Sequence, residues 1–262
     1  MTMDIAPSPP PLFSGPPRYE TNSPWSLIPA VLVTVLACTI ALIVGMLAVV
    51  AGIAASGVSI TESDAAMDAF FSLSSPSGVA TAMATQLASL TLIWLAAGYK
   101  GRRREVLQLA GAIPSLGTLL LGGILLVAVT SALEYLMYVT TRFDIFADSK
   151  WLREGLQSPY WWATIIIGVV FAPLWEELTF RGFLLSALAK TRLGYWGGGL
   201  ISNALWTIIH WGYSWQGLAS VFTAGLVLTW IMRRTGSIWA TIAAHAVANI
   251  CALSIAYFAG GV

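Results

Sequence analysis

The sequence predicts an all-α protein: a polytopic transmembrane helix bundle of about seven spans, bounded at six and eight, with any active site in the bundle interior. Three observations predict it. Of 262 residues, 57% are hydrophobic and only 10% are charged, whereas a soluble globular domain carries roughly 25% charged residues. A chain so poor in charge cannot cover a water-facing surface, so most of its outside must face lipid. Apolar stretches that approach or exceed the roughly 20 residues of a membrane span recur along the chain. They are continuous rather than alternating, which excludes a membrane barrel. Helices remain, because backbone groups in lipid must pair within their own segment.

Residues 1–24 are of another composition, rich in Pro, Ser and Gly and without apolar periodicity. They are expected to form a disordered, polyproline-like tail. Residues 25–262 then form one membrane domain. The first apolar stretch, 25–54, is too long for the core of a signal peptide and has no basic segment just before it. The second, 79–98, runs into the basic sequence Gly101-Arg102-Arg103-Arg104. The third, 113–139, carries Glu134. The fourth, 160–189, is long enough to tilt or to break at Pro173. The fifth and sixth, 195–211 and 215–232, are short and contain Trp and Gly. The seventh is 237–259. Cys38 and Cys251 sit inside apolar runs and read as buried thiols, with neither metal spacing nor a disulfide framework.

Lysine and arginine set the expected orientation. With a cytoplasmic N-terminus and seven alternating spans, the inside holds Arg18, Lys100, Arg102, Arg103, Arg104, Lys190, Arg192, Arg233 and Arg234. The outside holds Arg142, Lys150 and Arg153, together with the acidic residues Glu62, Asp64 and Asp68. Nine against three favours this topology. Trp25, Tyr99, Tyr160, Trp161, Trp162 and Trp215 fall near span ends, as interface anchors do. A formal net charge of +1 provides no electrostatic basis for binding nucleic acid.

Few ionisable groups remain at membrane depth: Glu134, Glu176, Glu177, Arg181, His210 and His245, the last two being the only histidines. A charge near the bilayer centre costs about 2.5–3.5 kcal/mol on insertion scales, so each is a functional candidate. Glu177 and Arg181 are four apart, with Glu first, the better order for an ion pair on one helix face. Glu176 is rotated by about 100° and lacks that partner, which leaves it available as a general base. Asn249 lies one turn beyond His245 and projects from the same face. A free glutamate, two imidazoles and an amide converging in the bundle interior would supply a base, a water-orienting ring and oxyanion donors. No Ser or Cys is placed with a base as a nucleophile would be.

Glu-Glu-x-x-x-Arg, aromatic-x-x-x-His and His-x-x-x-Asn, in this order on successive apolar segments, resemble the CAAX-protease and bacteriocin-processing family of intramembrane proteases. The stretch Glu176-Glu177-Leu178-Thr179-Phe180-Arg181-Gly182-Phe183-Leu184-Leu185 resembles its first motif closely, and the likeness covers roughly residues 160–255. It implies an endopeptidase in which Glu176 activates water, His210 helps to hold that water, and His245 and Asn249 stabilise the oxyanion. Glu177 and Arg181 support them. Trp206 departs from the usual phenylalanine of the second motif, which bears on substrate shape more than on chemistry.

The implied substrate is a membrane protein or a lipidated peptide, met in the lipid bilayer of a bacterial cytoplasmic membrane. The expectation is no cofactor and no metal. The alternative is zinc held by Glu176, His210 and His245, disfavoured because no His-Glu-x-x-His helix is present and Asn249 suits an oxyanion donor better than a metal ligand. Two other classes stay open: a non-catalytic immunity or scaffold factor of the same fold, and a proton-coupled transporter using the same buried groups. The repeat-related broken helices that transporters usually show are not visible in the sequence.

Overall fold

The computed structural model describes residues 12, 14–21, 23–56, 72–110, 113–144 and 147–259. Glu62, Asp64 and Asp68 lie outside the described residues. The elements are α1 (Leu27–Ser56), α2 (Pro76–Ala97), α3 (Leu116–Thr141), the short α4 (Lys150–Leu156), α5 (Trp161–Leu188), α6 (Gly194–Ile208), α7 (Trp215–Thr235) and α8 (Ile238–Ala259). Local signals set several boundaries. The Ser75, Ser115 and Ser214 hydroxyls accept the Gly78, Thr118 and Gly217 amides and so start α2, α3 and α7. Gly236, at φ +61°, ends α7 in the left-handed conformation.

Among the described residues, six helices are long and apolar enough to cross a membrane: α1, α2, α3, α5, α7 and α8. The fifth apolar stretch folds as α6 but has only 15 helical residues. At about 1.5 Å per residue it is about 22 Å long, short of a hydrocarbon core of roughly 30 Å. The outer faces are apolar, with Leu47, Ile124 and Phe258 each more than half exposed. Outward apolar faces on six such helices make this an integral membrane protein.

Helix α5 is the central element. Half of its membrane window is buried, against 17–33% in the other five, and it packs on α1, α2, α6 and α8. It does not break at Pro173. Instead it passes through two π-helical segments, Ile167–Phe171 and Glu177–Leu184, on either side of that proline. Widened turns of this kind absorb a missing backbone donor without ending the helix and are frequent at functional sites.

The expectation of a disordered tail covered residues 1–24. Residues 1–11, 13 and 22 lie outside the described residues. For the others that expectation does not hold, because they run as a non-helical strap over the ends of α5 and α7. The Arg18 and Tyr19 amides donate to the Arg233 carbonyl at 3.1 and 3.2 Å. The Thr21 hydroxyl donates to the Ser186 carbonyl at 2.7 Å, Gln108 Nε2 to the Glu20 carbonyl at 3.1 Å, and Arg234 Nε to the Leu12 carbonyl at 3.0 Å. Composition misled here because the strap is held through its backbone by side chains and carbonyls remote in sequence.

Candidate active site

Glu176 and Glu177 lie at the junction of an α-helical turn and the second π segment of α5, and both are buried. Glu177 Oε1 accepts from Arg181 Nη1 at 3.0 Å, which is the expected ion pair. The same oxygen is also 3.0 Å from His245 Nδ1 on α8. A carboxylate there makes Nδ1 the protonated nitrogen and turns Nε2 toward Glu176, whose Oε2 is 4.0 Å away. Glu177 therefore does more than neutralise Arg181: it orients the second histidine.

Arg181 is 1% exposed and is held from several sides. Its Nη2 donates to Asn203 Oδ1 at 3.5 Å and to the Gly225 carbonyl at 3.4 Å. Its guanidinium lies 4.2 Å from the centre of the Trp206 ring. Asn203 in turn donates to the Phe222 carbonyl at 2.8 Å and ties α6 to α7. Gly225 is required by this approach, since a Cβ there would fall 1.5 Å from Asn203 Oδ1.

Trp206, 3% exposed, stands at the centre of the cluster. Its indole Nε1 donates to Glu176 Oε2 at 2.5 Å. Its ring meets the His210 and His245 rings edge to face, with centroids 5.3 and 5.6 Å apart. His210 sits in the turn after α6, where Nδ1 donates to the Trp206 carbonyl at 2.9 Å and leaves Nε2 free to accept. That turn is fastened by Asp148, which accepts from the Ser214 amide at 2.9 Å and the Ser214 hydroxyl at 2.6 Å. Tyr213 packs on His210 at 5.5 Å. Burial first, then the carboxylates of Glu176 and Asp148, hold its phenol above the usual value, so it stays a neutral donor.

Asn249 follows His245 by one turn, but its amide is already engaged. Nδ2 donates to the Gly168 carbonyl of α5 at 2.7 Å. The reason lies in α5. In the first π segment the Ala172 amide reaches back to the Ile167 carbonyl, so Gly168 would next be served by residue 173. Residue 173 is proline and has no N–H. Asn249 supplies the missing donor, which leaves one amide hydrogen for other use.

Among the described residues, no three His, Cys, Asp or Glu side chains are gathered as for a metal ion. The Trp206 ring packs against both imidazoles, its N–H takes the Glu176 oxygen nearest His245, and both Nδ1 atoms are committed. Glu134 stands apart, accepting from the Ser220 hydroxyl at 2.6 Å between α3 and α7.

The structure thus brings Glu176, Glu177, Arg181, His210 and His245 around Trp206, with Asn249 at the margin. Sequence reading did not assign Trp206, Asn203 or Gly225 to this network. A buried amide and an indole within seven residues of His210 were the available signals, since each needs a partner inside the bundle.

Residues 158–251 match the family model described as type II CAAX prenyl endopeptidase Rce1-like. Over 94 residues, 36% of this chain and 50% of the relative, the chain is 26% identical to the UPF0177 protein YxdF of Lactococcus lactis subsp. lactis (strain IL1403). Over 117 residues, 41% of this chain and 39% of the relative, it is 33% identical to the uncharacterized protein YyaK of Bacillus subtilis (strain 168). The chain thus spans half or less of these curated relatives. No solved structure matches it. The segment that carries all three motifs is similar to CAAX-protease-type membrane proteins, and the family resemblance read from those motifs is borne out at that level.

Proposed function

From the Rce1-like character of residues 158–251, we propose that this protein is an intramembrane endopeptidase that hydrolyses a peptide bond of a membrane-associated protein or lipidated peptide. The observation that carries the reading is Glu176, a buried carboxylate deep in the bundle that, among the described residues, forms no ion pair with a lysine or arginine and faces His245 Nε2 at 4.0 Å. A carboxylate is costly at this depth unless it is used.

In this mechanism Glu176 accepts a proton from water as the water oxygen attacks the scissile carbonyl. The electron pair of the carbonyl moves to its oxygen. His245, donating from Nε2 in its imidazolium form with Nδ1 held by Glu177, and the remaining amide hydrogen of Asn249 stabilise that oxyanion. Glu176 then returns the proton to the leaving amine, and the C–N bond breaks. His210 Nε2 is the acceptor that helps to orient the water. No step requires a metal ion.

The test compares membrane-protein termini in cells carrying the wild type or Glu176→Gln, followed by cleavage of the identified substrate by purified protein. Glu176→Gln is expected to be inserted and folded but inactive, because an amide cannot take the proton. His210→Ala and His245→Ala are expected to lose about 100-fold or more in rate, and Asn249→Ala less. Chelators are expected to leave the rate unchanged. Full cleavage by Glu176→Gln would remove Glu176 as the base, and inhibition by chelators that zinc reverses would restore the metal alternative.

A further inference from the structure

We propose that Trp206 is the positioning residue of the base: its indole N–H holds Glu176 Oε2 and thereby assigns the other oxygen, Oε1, to the attacking water. This rests on the reading of Glu176 as the base. A buried indole N–H must find an acceptor, and here it finds the carboxylate at 2.5 Å. Hydrogen bonds to an ionised acceptor are short and strong. Among the described residues, Oε2 is the oxygen that both Trp206 and His245 face, whereas Oε1 accepts no hydrogen bond.

The ring that does this has little freedom. Its face lies against the Arg181 guanidinium at 4.2 Å, and its ring also meets the two imidazoles at 5.3 and 5.6 Å within the packed core. Its backbone carbonyl holds His210 Nδ1 at 2.9 Å. One residue therefore sets the position of the base through its side chain and of the first histidine through its main chain. A phenylalanine would offer the same ring surface without the donor. It would leave the Glu176 carboxylate free to rotate about its terminal torsion, which is broad and soft when unrestrained.

The test reads the hydrogen bond independently of catalysis. The chain has 12 tryptophans, so purified protein labelled with nitrogen-15 in its indoles is examined by proton–nitrogen correlation. One cross-peak is expected well downfield of the rest. Trp206→Phe removes that peak alone, and Glu176→Gln, with Trp206 intact, returns it toward the ordinary region. A Trp206 peak in the ordinary region that Glu176→Gln does not move overturns the proposal, and this reading stands even if Trp206→Phe fails to fold.

The second arm uses the substrate found by the terminus comparison. Trp206→Phe is expected to lower kcat about 10- to 100-fold with KM changed less than about threefold, as loss of alignment does. An unchanged kcat in a folded Trp206→Phe protein overturns the positioning role while leaving Glu176 as the base. Full activity of Glu176→Gln would instead overturn the base itself.

Discussion

Arg181 shows how much one buried residue can be asked to do. Its guanidinium pairs with Glu177, reaches Asn203 and the Gly225 carbonyl, and lies over Trp206. Arg181→Ala would leave Glu177 buried at 0% exposure without its guanidinium partner. Breaking such a pair costs roughly 3–5 kcal/mol, so a large drop in thermal stability in detergent and in yield is expected. Arg181→Lys should recover only part of this, because a point charge cannot serve three acceptors in a plane. An Arg181→Ala protein that unfolds at the wild-type temperature would remove the pair from the account of stability. At Gly225 the argument is steric. Gly225→Ala drives a methyl into Asn203 and toward Arg181 Nη2, 2.9 Å away, and should cost at least as much as typical overpacking, about 1–3 kcal/mol.

At the scale of the element, α5 owes its shape to one proline. Pro173 removes the donor that the Gly168 carbonyl would have received, and Asn249 of α8 replaces it at 2.7 Å. Asn249→Ala should therefore destabilise the fold by about 1–3 kcal/mol, the cost of leaving a partly buried acceptor unsatisfied where lipid offers no replacement donor. In a Pro173→Ala background a backbone N–H is restored, and the same substitution should cost less than half as much. A double-mutant cycle by thermal or denaturant unfolding reads this coupling. Equal costs in the two backgrounds would separate Asn249 from the proline. The cycle also isolates stability from catalysis, because activity of Asn249→Ala mixes a loosened α5 with a lost oxyanion donor.

For the whole molecule, the expected orientation follows from the charge count. The N-terminus and the Gly101–Arg104 turn are expected in the cytoplasm, and the turn carrying His210 is expected toward the opposite face. Single cysteines at positions 103 and 153, introduced into a chain lacking Cys38 and Cys251, should react with impermeant reagents from opposite sides of intact cells. Labelling of position 103 from outside would invert the topology. The strap adds a second consequence at this scale. It joins the C-terminal ends of α5 and α7 through Thr21, Arg18 and Tyr19, so removing residues 1–23 should lower the unfolding temperature and not merely shorten the chain.

The sequence by itself determined what depends on local composition. Continuous apolar stretches dictated helices, and the four-residue spacing of Glu177 and Arg181 dictated an ion pair that the π-helical backbone of α5 still forms at 3.0 Å. Three short motifs sufficed for the family likeness. The strap formed by the described residues among 12–24 was not legible, because a segment held by remote partners depends on what packs against it. Only the tertiary structure decided which groups meet: Trp206 with Glu176, His245 with Glu177, and Asn249 with Gly168, separated by 30, 68 and 81 positions. Each of these contacts satisfies a polar atom that the membrane interior leaves without water, and the chain alone does not reveal which distant partner the fold brings to it.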